Sequence, residues 1–329
     1  MVRTGTKGIG IAAMLALATS AMAADRNPAP SAEAAPSGWE NGGDIYGFSD
    51  NPDTPGKVGP ANVKLGWIGL NGKRFGRYQV LTTTLESEYG LADWLSVTPS
   101  ISLGAHNLND VPLVLGDRLA ALAAGETARD AYFYPNRNRG SFSALAAGFK
   151  MRLIERGKLV NGQLEGSPIG LAVTMEPKWT AVDDATGNRL TAFSFASAII
   201  ADTAIIPERL FWTVNLGAGL TSGRDRDARA PVHASSLALS SALSYQFAPG
   251  VFLGVEARHE RAYDGNSWKT YLGNATYLGP TLFLKSGNWG LQAAWNAQIA
   301  GHAKDEPGQK LNLSQFERHR ARLRLSYDF

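Results

Sequence analysis

The chain of 329 residues contains no cysteine, so it has neither a disulfide framework nor the cysteine that anchors a bacterial lipoprotein. The apolar run at residues 9–18 is roughly ten residues long, and no later run reaches the ~20 residues that a membrane-spanning helix needs. The formal net charge of +3 is too small to indicate nucleic-acid binding. If this chain enters a membrane, it must span it as a closed β-barrel.

The N-terminus has the organisation of a secretory signal peptide. Arg3 and Lys7 precede the apolar run, and small residues then surround Met22 in the sequence Ala-Met-Ala. A charged region, a short apolar region and small residues before a cleavage site are typical of export signals. We therefore predict a signal peptide at residues 1–23, cleaved after Ala23.

The C-terminus alternates apolar and polar residues from His319 to Phe329 without a fault. In a β-strand this pattern places all apolar side chains on one face and all polar side chains on the other. A chain that ends in this way is typical of bacterial outer-membrane β-barrels. We predict that the barrel-assembly machinery recognises this last strand through Phe329.

Segments of about ten residues with the same alternation recur from residue 61 to the C-terminus. They are separated by connections that are alternately short and long, as in outer-membrane barrels. The predicted strands are 62–70, 77–89, 94–103, 140–153, 168–180, 190–201, 210–221, 234–247, 251–261, 276–285, 289–300 and 316–329. The sequence therefore predicts an all-β fold, a transmembrane antiparallel up-and-down β-barrel of about 12 strands in residues 61–329.

Apolar side chains share one face of several predicted strands, and this face is predicted to contact lipid and lipopolysaccharide. Aromatic residues near strand ends suit the two membrane interfaces, where a ring lies in the acyl boundary and its polar edge meets headgroups. Examples are Tyr89, Trp94, Trp179, Trp212, Tyr245, Phe247, Trp289 and Tyr327. Together with the export signal, this predicts the outer membrane of a Gram-negative bacterium.

Residues 24–60 form a predicted periplasmic leader that is partly disordered. Residues 24–60 are rich in Ala, Pro, Ser, Gly and Asp, a composition that cannot bury a core, and residues 28–37 are the part expected to be disordered. The following stretch, 38–58, contains Trp39, Ile45, Tyr46 and Phe48. It is expected either to fold against the barrel mouth or to enter the lumen.

Four segments of this chain carry a resemblance to a known family: 85–97, 168–177, 248–258 and 277–283. They resemble a proteobacterial family of uncharacterised outer-membrane β-barrels, and the likeness covers nearly all of the mature chain. The chain is also loosely similar to the MetA-like outer-membrane barrels of phenol-degradation pathways. Because the shared motifs are turn and strand patterns, the resemblance implies a fold and a location but no particular solute.

Charged residues on the inward face of the predicted strands indicate a mixed-charge lumen. The candidate lumen-lining or solute-binding residues are Arg320, Arg322, Arg324, Glu86, Glu88, Lys150, Arg152, Glu176, Lys178, Glu256 and Arg258. Such charges either pair across the barrel or line a water-filled pore. A barrel of twelve strands lies between barrels filled by side chains and barrels with an open channel, so we expect a narrow pore.

Three of these residues, Arg320, Arg322 and Arg324, would project inward from alternate positions of the last strand. Guanidinium groups in this geometry suit solutes that carry carboxylate or phosphate. In the alternative interpretation they pair with acidic groups on other strands. The leader, or the loop at 104–139 with a predicted amphipathic helix, could also close the pore.

Two further functions are weighed against a small-solute channel: a non-conducting structural or surface barrel, and a lipid-modifying hydrolase. The hydrolase would use His233 and Ser235, which are spaced as a possible base and nucleophile at the outer rim. No orienting acid or amide is evident nearby on the outward face. The remaining histidines are scattered, so we predict no cofactor, no metal site and no catalytic residue.

Overall fold

The computed structural model describes residues 45–112, 133–160, 163–226, 231–304 and 306–329, without the side chains of residues 159 and 160. The predicted signal peptide, the part of the leader predicted to be disordered and most of the predicted loop helix lie outside the described residues. Among the described residues, no helix is long and apolar enough to cross a membrane.

Twelve antiparallel strands form a closed barrel, which confirms the predicted fold class. Each strand pairs with its neighbours in sequence, and β1 pairs with β14 to close the ring. The barrel strands are β1 (Gly59–Asn71), β2 (Arg77–Ala92), β3 (Leu95–Asn109), β4 (Arg137–Ile154), β7 (Ile169–Val182), β8 (Arg189–Ile206), β9 (Leu210–Asp225), β10 (Pro231–Ala248), β11 (Val251–Asp264), β12 (Thr270–Ser286), β13 (Trp289–Ala303) and β14 (His319–Asp328).

All twelve predicted segments correspond to these strands, but most strands are longer than predicted. Many of the extra residues are polar or small, as in β3, which continues through His106 and Asn107 to Asn109, because the strands extend past the apolar band that the prediction relied on. The connection between β4 and β7 also differs from the prediction. Instead of a plain turn it contains a small hairpin, β5 (Lys158–Val160) with β6 (Gln163–Glu165).

One end of the barrel carries short turns and the other carries longer loops. Residues 93–94, 207–209, 249–250 and 287–288 make the short turns. Gly250 and Gly287 have positive φ angles of 72° and 55°, which a residue with a Cβ rarely adopts. We call the first of these ends the turn end and the second the loop end. Strand β1 begins and strand β14 ends at the turn end.

The outward face of the barrel is apolar, as the alternation in sequence predicts. Leu216, Leu239 and Ile199 are about half exposed on this face, whereas their neighbours Asn215, Ser240 and Ile200 are buried in the interior. Exposed aromatic side chains lie near the strand ends. They include Tyr89, Trp94, Trp179, Trp212, Tyr245, Phe247 and Trp289. A continuous apolar surface of this kind would be unstable in water but is stable in a bilayer.

Gly279 on β12 allows an unusually close approach of β13. A Cβ at this position would overlap the carbonyl oxygen of Trp295, and the adjacent Pro280 cannot donate a ladder hydrogen bond. Regular pairing between the strands is interrupted there, between Leu278 and Thr281.

We expect Gly279→Ala to destabilise the barrel by about 2–4 kcal/mol, because backbone would have to move to relieve the overlap. The measurement is denaturant unfolding in detergent or lipid, followed by the gel shift of the folded barrel. Gly217→Ala is the matched control, since the nearest atom to a Cβ there lies 3.6 Å away. Equal stability of the two variants would contradict this account of Gly279.

Candidate functional site

Residues 45–55 lie inside the barrel at the turn end, and exposed residues 56–58 join them to β1; we call the segment 45–58 the plug. Of the two placements that the sequence leaves open, the structure shows the lumen. The plug begins with an apolar anchor, in which Ile45 and Tyr46 pack with Phe211, Phe252 and Phe283 from three strands. Tyr46 is 1% exposed. Burying these rings removes a large apolar area from water and holds the first residues of the plug in place.

The plug has no helix or strand of its own, so its backbone carbonyls are satisfied by side chains of the barrel wall. Ser244 Oγ donates to the carbonyl of Ile45 at 3.0 Å, and Gln292 donates to the carbonyl of Tyr46. Thr213 Oγ1 donates to the carbonyl of Asp50 at 2.9 Å. These contacts come from β9, β10 and β13, so side chains from different parts of the wall together hold an irregular segment.

Glu256 binds the plug from β11. Its carboxylate accepts a hydrogen bond from the backbone N–H of Phe48 at 2.6 Å and another from Ser49 Oγ at 2.7 Å. The side chain is fully buried. Two charge-assisted hydrogen bonds offset the cost of burying the carboxylate. Glu256 was predicted as a solute-binding residue, but in this structure its oxygens are occupied by the plug.

Lys150 on β4 makes the central ionic contact with the plug. Its Nζ lies 3.0 Å from both carboxylate oxygens of Asp50 and also 3.0 Å from the carbonyl oxygen of Asn51. Sequence alternation correctly places Lys150 inside the barrel. Its partner is a plug residue that the sequence could not assign to it.

Arg156 makes a second ionic contact, close to the turn end. Its guanidinium pairs with Asp202 of β8 and lies 3.5 Å from Asp53 of the plug. It also lies 5.7 Å from the centre of the Phe211 ring, which gives a cation–π contact. Burial raises the pKa of Asp53 above its ordinary value, more than the neighbouring Arg156 lowers it. Sequence analysis missed Arg156, because it follows β4 in a turn predicted to be solvated.

The three arginines of β14 each contact a different part of the molecule. Arg322 donates to the carbonyl of Gly47 at 3.0 Å and lies over the ring of Phe48 in the plug. Arg324 lies 3.5 Å from the carboxylate of Glu86 on β2. For Arg324, the structure therefore agrees with the interpretation of cross-strand pairing.

Arg320 is the third member and is buried near the loop end. Two of its nitrogens bind the two oxygens of Glu260 at 2.6 Å each, a bidentate pair, and its Nε binds Glu317. The guanidinium also lies 4.4 Å from the centre of the Tyr277 ring. With this set of contacts Arg320 acts as a structural anchor, which differs from the predicted solute contact.

Residues 312–318, before β14, fold inward over one side of the loop end, and we call them the lid. Asn312 and Glu317 are buried. Gln298 Nε2 donates to the carbonyls of both residues, at 3.1 and 3.2 Å. Lys73, in the loop between β1 and β2, donates to the carbonyl of Ser314 at 3.2 Å. Burial, aided by nearby Arg320, lowers the pKa of Lys73 from 10.5 to about 7.

Between plug and lid lies a central cavity of about 450 Å³. One part of its wall consists of small residues, including Ala196, Gly217 and Ala238. Neutral polar residues such as Thr98 and Ser100 and nine charged residues also line the cavity. The charged residues are Asp50, Lys64, Glu86, Glu88, Lys150, Glu176, Arg258, Arg322 and Arg324. The mixed-charge lumen expected from the sequence is present, but Arg152, Lys178, Glu256 and Arg320 do not line this cavity.

Two further cavities adjoin the central one. An outer cavity of about 660 Å³ at the loop end shares Glu176, Ala196, Gly219 and Ser236 with it. A cleft of about 160 Å³ beside the plug shares Lys64, Glu88 and Lys150 with it. Together they trace a route along the barrel axis that is wide at the loop end and narrow beside the plug.

The remaining predicted lumen residues pair near the cavity walls. Glu88 accepts hydrogen bonds from Asn62 at 2.8 Å and Ser96 at 2.9 Å. Arg152 donates to the carbonyl of Asp93 at 3.0 Å, at the turn end. Two further residues form ion pairs: Lys178 with Asp184 at 2.5 Å, and Arg258 with Glu260.

The structure does not bring His233 and Ser235 together as a base and nucleophile. Ser235 is buried, and its hydroxyl donates to the carbonyl of Gly265 at 2.7 Å. His233 Nδ1 instead lies 3.0 Å from Ser222 Oγ and 3.5 Å from Asn266 Nδ2. Because both neighbours approach the same ring nitrogen, this is not the relay that nucleophilic catalysis needs. In the part of the chain that the structure describes, no cluster of acidic or histidine residues could hold a metal ion.

Comparisons with known proteins identify a family. The chain belongs to a family of unknown function (DUF6662), whose model matches residues 41–329. This match includes the plug as well as the barrel. No curated protein matches the sequence. The family match neither supports nor excludes the predicted likeness to MetA-like barrels, which stays a prediction.

Among solved structures, the chain is similar to several barrels. The COG4313 outer membrane channel from Pseudomonas putida F1 is 13% identical with a TM-score of 0.47, over 83% of this chain and 96% of that one. The translocator domain of the autotransporter NalP from Neisseria meningitidis is 13% identical, with a TM-score of 0.43 over 83% and 89%. LpxR from Salmonella typhimurium is 9% identical, with a TM-score of 0.43 over 82% and 100%.

The first prediction for this site concerns the Arg320 ion pair. Arg320→Met should destabilise the barrel by about 1.5–3 kcal/mol, because Glu260 loses its bidentate partner and keeps only Arg258, while Glu317 loses Arg320. Adding Glu260→Gln should restore part of this loss, so that the double variant is more stable than the single one. The measurement is a double-mutant cycle of unfolding free energies. Additive effects of the two substitutions would contradict the structural role of Arg320.

The second prediction concerns the pH dependence caused by Lys73. Its pKa in the folded protein, about 7, lies below the ordinary 10.5, so the unfolded chain binds more protons between these values. The free energy of unfolding should therefore rise as pH increases from 7 to 10.5. Lys73→Met should reduce this slope, and Lys269→Met, in an exposed loop, should not. An unchanged slope in Lys73→Met would show that Lys73 titrates normally.

Proposed function

We propose that this protein is an outer-membrane channel that admits a small polar solute from the cell exterior into the central cavity. The observation that carries the proposal is the series of three adjoining cavities along the barrel axis, lined by charged and small residues. A barrel without a transport role would be expected to fill its lumen with packed side chains, as smaller barrels do.

The apolar outward face supports insertion into a lipid bilayer. By the usual asymmetry of such barrels, the turn end faces the periplasm and the loop end faces the exterior. In this orientation the plug narrows the periplasmic exit, and the lid covers one side of the outer mouth. Membrane lipid and lipopolysaccharide would surround the apolar band, and the strand ending in Phe329 would be the signal for barrel assembly.

The plug is the constriction of the proposed channel. Its contacts with the wall are many and individually modest, such as the Lys150–Asp50 pair and the hydrogen bonds to Glu256. Removing single contacts should loosen the plug while leaving the strand ladder of the barrel intact. Solute flow would then increase through the cleft that the plug now narrows.

We expect small conductance steps from the wild-type protein in planar bilayers and severalfold larger steps from Lys150→Met. The substitution removes the cation that binds both Asp50 and the carbonyl of Asn51. Lys285→Met is the matched control, because Lys285 makes a comparable ion pair with Asp328, at 3.0 Å, without contacting the plug. Its conductance should equal that of the wild type.

A variant that lacks residues 24–58 extends the test, since it removes the plug completely. If the folded wild type, Lys150→Met and this deletion variant are all silent, the channel proposal fails and the non-conducting structural barrel is favoured. Correct folding is checked for each protein by its gel shift on heating.

A further inference from the structure

We propose that Glu176 receives the positively charged group of the solute, so that the lumen selects organic cations, or amphoteric molecules with an ammonium group, over anions. This inference deepens the proposed function and rests on it in one respect, namely that a solute enters from the loop end. It also reverses the anion preference that the arginines of β14 suggested in the sequence.

Most basic side chains of the central cavity already have carboxylate partners, and Arg322 is bound to the carbonyl of Gly47. Lys64 lies 4.0 Å from Glu88, and Arg324 lies 3.5 Å from Glu86. Lys150 is held by the plug, as described above. An incoming anion would have to compete with a fixed carboxylate at each of these positions, and the fixed carboxylates would repel it.

Glu176 differs from the other carboxylates of the cavity wall. Among the residues that the structure describes, no cation lies within 4.0 Å of its carboxylate, and it makes no hydrogen bond. The nearest basic residue on the same face of β7, Lys178, is bound to Asp184 at 2.5 Å. The Glu176 side chain is exposed to the lumen, which leaves its negative charge available to a ligand.

The position of Glu176 also suits recognition. It lines both the central and the outer cavity, so a solute that moves from one to the other passes it. The other residues shared by the two cavities, Ala196, Gly219 and Ser236, are small and leave room at this point. Strand β7 lies five strands from β14 in one direction around the barrel and seven in the other, so Glu176 is nearly opposite the arginines.

This arrangement produces a field across the lumen, with an available carboxylate on one side and guanidinium groups on the other. A carboxylate in a narrow lumen attracts a cation more strongly than it does in bulk water, because the effective dielectric constant is lower. Acidic side chains that line a pore are the usual basis of cation selectivity. An amphoteric solute would place its ammonium at Glu176.

The test uses three probes of matched length: butylammonium, butyrate and 4-aminobutyrate. Binding to the folded, detergent-solubilised full-length mature protein is measured by calorimetry, for the wild type, Glu176→Gln and the control Glu86→Gln. We expect butylammonium to bind the wild type more tightly than butyrate does. Glu176→Gln should weaken butylammonium binding at least tenfold, whereas Glu86→Gln should change it less than threefold.

Three results would overturn the inference. They are tighter binding of butyrate than of butylammonium by the wild type, equal butylammonium binding by the wild type and Glu176→Gln, and no butylammonium binding by the folded wild type. The assay does not depend on conduction. Glu176-dependent binding together with silent plug variants would support this site while the channel proposal fails, and conduction without such binding would give the opposite result.

Discussion

The structure depends on one constraint: charged and polar groups enclosed by a barrel must find partners inside it. Twelve strands enclose more space than their own side chains fill, so the wall cannot satisfy all of these groups alone. The plug supplies the missing partners. Its carboxylates bind Lys150 and Arg156, and its backbone satisfies Glu256, Arg322 and Thr213. Plug and wall are therefore complementary parts of a single interior.

The last strand shows how the same residue type serves three purposes in one ladder. Arg320 binds acidic groups of β11 and the lid, Arg322 binds the plug, and Arg324 pairs with β2. The bidentate geometry and the flat apolar face of guanidinium allow each contact, and lysine would reproduce only the charge. A strand that looks in sequence like a binding surface is thus mainly a set of structural connections.

The sequence was sufficient for the parts of the structure that depend on local alternation. Period-two patterns located all twelve strands and placed residues such as Lys150 and Glu256 inside, because the side chains of a strand alternate strictly between its faces. Strand ends were less predictable, since β3 continues into mixed residues as far as Asn109 without a clear apolar signal. Inward orientation could be predicted, but the partner of each charge could not.

The partner of each charged side chain depends on the shear of the barrel and on the path of the plug. A local sequence pattern predicts neither of these. The pairing of Arg156 with Asp53 joins residues 103 positions apart, and no sequence spacing indicates it. The aromatic residues of the leader were the available signal. Tyr46 and Phe48 stand in a segment otherwise poor in apolar residues, and an isolated pair of rings before a barrel indicates that the segment is buried somewhere.

The binding site of the plug has a consequence for the order in which the parts of the molecule fold. Its contacts come from strands that span the sequence from β4 to β14, and Lys57 at its end donates to the carbonyl of Phe329, the last residue of the chain. A partly assembled sheet lacks some of these contacts. The plug, which is the first segment of the described chain, therefore reaches its full set of contacts only after the ring of strands is complete.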